Sequence, residues 1–177
     1  MPEQRVYVWS LLVRVIHWAL VILFAFNYFI LSPGGEIHEW VGYTAVSCVL
    51  VRCWYGLTSR GFARFSRRAF SKTAFQSHFS HLKQRSIPAR TGHNPFGWMM
   101  VYAVLAAFIT LATTGFLLEE TDYFFGSSEL ELVHSVTADT LFVLACIHIA
   151  AVILTSIVGR RNLIRAMITG YRRIKNG

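Results

Sequence analysis

The sequence predicts an all-α integral membrane protein, a four-helix bundle with both termini on the cytoplasmic side. Three observations predict it. The 177-residue chain is 54% hydrophobic and 15% aromatic, with a mean hydropathy of +0.45, which is too apolar for an ordinary soluble domain. Four apolar stretches reach the roughly 20 residues that a helix needs to cross a bilayer core. Every lysine and arginine except Arg52, inside the second span, and Arg14, near the start of the first, falls in alternate connecting segments, which is the asymmetry that sets membrane orientation.

The elements follow in order within a single domain, residues 1–177. The first span covers residues 11–31. It is too long for a typical signal-peptide core and lacks a small-x-small cleavage site before Ser32-Pro33-Gly34-Gly35, so it reads as a retained helix. Those four residues form a turn into the second span, residues 38–57. A basic loop, residues 58–94, leads to the third span, residues 95–118. Asn94 can cap that helix, and Pro95 suits its first position, where the missing N–H costs nothing. The fourth span, residues 132–158, is the longest and carries His134 and His148.

Charge then assigns the sides. Arg5 and Arg14 stand at the start; Arg60, Arg64, Arg67, Arg68, Lys72, Lys83, Arg85 and Arg90 fill the long loop; Arg160, Arg161, Arg165, Arg172, Arg173 and Lys175 follow the fourth span. The opposite connections hold Glu36, Glu39, Glu119, Glu120, Asp122, Glu129 and Glu131 and no basic residue. The basic segments are expected at the cytoplasmic surface, in contact with lipid headgroups. The net charge of +8 therefore describes clusters between apolar spans and not an exposed basic face, which argues against nucleic-acid binding. Cys48, Cys53 and Cys146 are odd in number, lie in apolar segments and form no C-x-x-C-H motif; neither a disulfide framework nor covalently attached haem is indicated.

An ionisable side chain inside a bilayer calls for a partner. Given the orientation, His17 lies in the inner half of the first span and His38 opens the second from outside. His134 lies near the outer end of the fourth span, and His148 is about 21 Å deeper and within about 40° of the same helix face. The four sort into two levels, His38 with His134 outside and His17 with His148 inside. That pattern suits two bis-imidazole b haems, each iron held by two helices. Zinc or copper would ask for carboxylate or thiolate companions at most such sites. Arg52, fourteen residues after His38, and Arg14, three before His17, can pair with haem propionates or snorkel to the headgroups. Gly42, Ala138 and Ala145 leave room for a porphyrin or for helix packing. His78 and His81 are expected in solvent. His93 is placed to contact a quinone or propionate, or to serve the helix cap.

Several stretches together resemble a known family, the bacterial di-haem cytochrome b(561) proteins and the b-type cytochrome subunits of nickel-iron hydrogenases. They are V-W-S-L-L-V-R-V-I-H-W at 8–18, H-E-W-V-G-Y at 38–43, R-C-W-Y-G at 52–56, G-H-N-P-F-G at 92–97, the His134/His148 pair, and N-L-I-R-A-M-I-T-G at 162–170. The resemblance implies haem ligation by His17, His38, His134 and His148. It also implies electron transfer between the quinone pool and a redox partner in the bacterial inner membrane. Hydrogenase-type members, as usually described, have a further span and larger loops, so a stand-alone or cytochrome c-linked protein is the first expectation. A c-type cytochrome would dock on the acidic outer loops around Glu119, Glu120 and Asp122. The alternatives are an anchor subunit for a hydrogenase or dehydrogenase, and a haem-free proton or ion pathway using Asp139. A homodimer, and quinone oxidoreductase activity as an enzyme, both stay open at this stage.

Overall fold

A computed structural model describes residues 5–65, 70–85 and 92–173; of the basic residues named above, Arg67, Arg68, Arg90 and Lys175 lie outside them. The described chain is helical apart from one pair of short strands. Its elements are β1 (Arg5–Tyr7), α1 (Leu11–Phe29), α2 (Glu36–Thr58), α3 (Lys72–Lys83), α4 (Pro95–Glu120), α5 (Ser128–Val158), α6 (Leu163–Thr169) and β2 (Tyr171–Arg173). Among the described residues α1, α4 and α5 are long and apolar enough to cross a membrane. They carry large apolar side chains on their exterior, such as Ile22, Ile109 and Leu154, an arrangement that water disfavours and lipid accommodates. The chain is a membrane protein. The segment expected as a second span is a helix, α2, of 23 residues, but it is not among the helices long and apolar enough to cross a membrane. It is less apolar than the other three, because Glu36, Glu39 and Arg52 and the hydroxyls of Thr44, Ser47 and Thr58 interrupt it.

The chain divides into two compact units, one of residues 1–15, 54–100 and 147–177, the other of residues 16–53 and 101–146. In the first unit β1 and β2 pair antiparallel, with Val6 opposite Arg172. The strands were not expected from the sequence, since each is three residues long and joins segments far apart in the chain. Their junction turns on Gly170, whose φ of +86° only glycine adopts without strain. A Cβ there would stand 2.9 Å from the Trp9 carbonyl oxygen, and the Gly170 carbonyl accepts N–H bonds from Val8 (2.8 Å) and Trp9 (3.2 Å). Val8, Trp9, Val13, Ala63 and Ala166 form the small core under this clasp. Asn162 caps α6 by accepting the Arg165 N–H. Asn94 caps α4 as the sequence predicts, its side-chain oxygen taking the Gly97 N–H at 2.6 Å just ahead of Pro95.

The basic loop is not featureless, because α3 is amphipathic. Phe75 and His78, three residues apart, share a face that packs on Phe96, at ring separations of 5.4 and 5.7 Å. His78 is therefore half-buried, with Nε2 3.4 Å from the Asn94 side chain, and the expectation of a solvated side chain is corrected. Burial first, and the neighbouring His81 second, hold its pKa below the ordinary value of 6.5.

The second unit holds most of α1 and α2, the C-terminal part of α4 and the N-terminal part of α5. One face of α2 runs through His38, Gly42, Ala45, Val49 and Arg52, at intervals of three or four residues; Ala45, Val49 and Arg52 are buried. On α5, Leu141 is 2% exposed and stands seven residues from each histidine. The inward face of α5 is thus the face that carries His134 and His148.

Candidate functional site

Within the second unit α2 and α5 bring His38 and His134 together. Their ring centres are 6.2 Å apart and the rings are inclined at 53°. A metal–imidazole bond is about 2.0–2.1 Å long and the bonded nitrogen lies about 1.1 Å from the ring centre. Two imidazoles on opposite sides of one ion therefore have centres about 6.2–6.4 Å apart. The observed spacing matches that requirement, and ring pairs in plain contact, such as Phe79 and Phe96 at 6.1 Å, reach similar separations.

The surroundings fit ligation as well. Thr114, 5% exposed, sits on α4 with Oγ1 2.8 Å from His134 Nδ1. The hydroxyl proton is taken by the Thr110 carbonyl at 2.9 Å, with the Leu111 carbonyl at 3.2 Å. The oxygen consequently accepts from His134 Nδ1–H, a tautomer that leaves Nε2 unprotonated and able to bind a metal. Next to it Gly115 faces the same ring; a Cβ there would lie 3.5 Å from His134 Cε1, so larger side chains would crowd the imidazole. His38 has its Nδ1 buried with no hydrogen-bond partner among the described residues, an unmet polar atom of the kind a bound group satisfies. Its backbone carbonyl accepts from the Asn27 side-chain amide at 3.2 Å, which pins the start of α2 to α1. Asn27 also occupies the space beside Gly42, 3.8 Å from where a Cβ would be.

The other expected site residues fall as follows. His17 is half-buried on α1, edge-on to Trp18 at 5.4 Å, and belongs to the second unit. His148 is half-buried on α5 and belongs to the first. Arg52 is 7% exposed and does not extend to the exterior. Arg14 donates from Nη1 to the Ile168 carbonyl, which ties α1 to α6 in the first unit. In that unit too, His93 lies between Trp9 and Trp98, at ring separations of 4.7 and 5.2 Å. Asp139 accepts a 2.7 Å hydrogen bond from the Tyr28 hydroxyl, and Tyr28 stacks on Phe142. Among the described residues no group of three or more His, Cys, Asp or Glu side chains converges to hold a metal ion.

Thr114, Gly115 and Asn27 were not singled out from the sequence. A trace of them is there: Thr113-Thr114-Gly115 is a polar, small interruption near the C-terminal end of an otherwise apolar helix, and buried hydroxyls in such helices seek partners. Which histidine they serve is a matter of packing.

The sequence model of the prokaryotic cytochrome b561 family matches residues 8–170. A relative is the "Probable Ni/Fe-hydrogenase B-type cytochrome subunit" of Rhodobacter capsulatus, 25% identical over 223 aligned positions that cover 98% of this chain and 84% of the relative. No solved structure matches the chain.

Proposed function

Because the chain belongs to the prokaryotic cytochrome b561 family, and is thus a membrane cytochrome b with an electron-transfer role, we propose that it carries electrons across a bacterial inner membrane. It does so as one multi-pass domain, a four-helix bundle with both termini cytoplasmic, through two bis-histidine b haems. His38 and His134 hold the outer haem; His17 and His148 hold the inner one. The observation that carries the proposal is the 6.2 Å spacing of the His38 and His134 rings. The inner pair rests on sequence depth alone.

Each haem supplies a one-electron ferric/ferrous couple when bound. Held by two imidazoles, a haem would favour electron transfer over oxygen binding. Thr114 sets the His134 tautomer and ring orientation. Gly115 keeps space for that ring. Arg52, a buried cation, and Arg14 supply guanidinium groups for the propionates. On the membrane side the redox partner is a quinone. On the outer side it is a c-type cytochrome, drawn to the acidic residues around Glu119, Glu120 and Asp122.

The test is a reduced-minus-oxidised visible spectrum with haem counted per chain, on the native protein and on His17→Ala, His38→Ala, His134→Ala and His148→Ala. The expected result is about two low-spin b haems per chain, with His38→Ala and His134→Ala losing one spectral component and the inner pair the other. A colourless protein, inserted normally during growth with ample haem, would refute the proposal and return the histidines and Asp139 to a proton pathway.

A second reading is favoured by the name of the relative, a hydrogenase cytochrome subunit. In it the same haems accept electrons from a hydrogenase or related dehydrogenase bound to this chain. Co-purification of a stoichiometric metalloenzyme in mild detergent would support it, and a chain that purifies alone or as a homodimer with full electron-transfer activity would oppose it.

A further inference from the structure

The two imidazoles brought together at His38 and His134 differ in how their second nitrogens are held. His134 Nδ1 faces the Thr114 hydroxyl at 2.8 Å. His38 Nδ1 is buried and has no hydrogen-bond partner among the described residues. Leaving such an atom unsatisfied forfeits its hydration without return, and buried polar atoms in native proteins are nearly always satisfied by protein or by ordered water. A second orphan belongs to the side chain that contacts this residue. Oδ1 of Asn27, on α1, is likewise buried and without a hydrogen-bond partner among the described residues.

The chemistry of the contact fixes which arm of the Asn27 amide is which. The two arms are alike in shape, but a backbone carbonyl can only accept a hydrogen bond. The arm 3.2 Å from the His38 carbonyl oxygen is therefore Nδ2, and the same nitrogen lies 3.8 Å from where a Cβ on Gly42 would stand. Oδ1 is left as an acceptor. His38 Nδ1 is a donor in the tautomer that leaves Nε2 free to bind iron, which is also the tautomer that Thr114 selects for His134. An acceptor and a donor thus stand on two side chains already joined at His38, both shielded and with no direct bond between them. One water molecule that takes the Nδ1–H and gives a proton to Oδ1 satisfies both, and buried polar pairs are commonly completed in this way.

We propose that Asn27 is the positioning residue of His38, acting through a single buried water that accepts from His38 Nδ1–H and donates to Asn27 Oδ1. The inference rests on the reading that His38 and His134 hold one haem iron between them. Asn27 then has two separable tasks. Its Nδ2 holds the backbone at the start of α2, and its Oδ1, through the water, fixes the tautomer and the turn of the imidazole ring. Thr114 performs the second task for His134 directly. Each ligand is thus oriented from another helix, His38 from α1 and His134 from α4.

The experiment is a redox titration of the full haem-loaded chain, native and with Asn27→Leu or Asn27→Asp, following the spectral component that His38→Ala removes. Unfolding temperatures are measured alongside. Leucine has the same branching of heavy atoms as asparagine and neither hydrogen-bonding arm; aspartate keeps Oδ1 as an acceptor and lacks the amide donor. Both variants lose the bond to the His38 carbonyl, so both should unfold at a lower temperature. Asn27→Leu alone should raise the midpoint potential, because it leaves a less basic ligand. The shift should be about two- to tenfold in the ferric/ferrous equilibrium, tenfold being about 59 mV for one electron. Asn27→Asp should hold the potential at or below its native value. An unchanged potential in Asn27→Leu, or a rise in Asn27→Asp equal to that in Asn27→Leu, would overturn the proposal, since a purely structural asparagine gives the latter. Electron–nuclear double resonance of the native ferric protein in D₂O supplies a reading that needs no variant: deuterons of a water beside His38 should appear in addition to those on the two imidazoles, and their absence would also overturn it. A native chain that takes up no haem would instead overturn the reading on which the inference rests.

Discussion

Thr114→Val separates a ligand-orienting hydroxyl from a merely well-packed one. Valine keeps the volume and branching of threonine but cannot accept the His134 Nδ1–H, which now lies 2.8 Å from Oγ1. That bond makes the opposite ring nitrogen more basic, and a more basic ligand favours ferric iron. Its loss should therefore raise the midpoint potential of the haem proposed at His38 and His134. A hydrogen bond of this type contributes about 0.5–1.5 kcal/mol. For one electron about 59 mV corresponds to a tenfold change in equilibrium, or about 1.4 kcal/mol. If all of the bond energy distinguished the two oxidation states the rise would be about 20–65 mV, which is the upper bound. Haem retention at that site should also fall, on the order of 10–100-fold in affinity. The assay is a redox titration of the visible spectrum, with the component in question identified as the one missing in His38→Ala. Thr114→Ser, which restores the hydroxyl, should return the potential to its native value. Unchanged potentials in Thr114→Val, a downward shift, or equal behaviour of the serine and valine variants would refute the reasoning.

Two further predictions concern the first unit. Gly170→Ala forces a Cβ into a left-handed backbone and to within 2.9 Å of the Trp9 carbonyl oxygen. The backbone alone should cost about 1–3 kcal/mol, read as a lower unfolding temperature by circular dichroism; an unchanged temperature would show that the clasp is loose. The docking of α3 should depend on pH through His78, whose pKa is held below 6.5 when docked. Released, the side chain regains its ordinary pKa, so between the two values it binds a proton that the docked form does not. Docking is then fully stable above about pH 6.5 and weakens as pH falls through that window. Amide exchange over residues 72–83, corrected for intrinsic rates, should quicken at pH 5.5 relative to pH 7.5, and equal protection at both would refute the prediction.

What the sequence determined by itself was local or additive along the chain. Hydropathy and length are properties of a single segment, and α1, α4 and α5 begin where the apolar stretches begin or within four residues of it. The Asn94-Pro95 start of α4 is legible because a cap involves residues three apart. The faces shared by His38 and Arg52, and by His134 and His148, follow from helical pitch alone. Tertiary structure decided which side chains meet. That Thr114 of α4 orients His134 of α5, that Asn27 of α1 holds the start of α2, and that Gly170 receives Val8 and Trp9 are contacts between separate elements. Helical periodicity places a residue on a face but carries no information about which face of another helix it will touch. The same limit hid α3, whose amphipathic face is meaningful only once Phe96 is there to cover it, and it hid the strands, which are too short to form without each other.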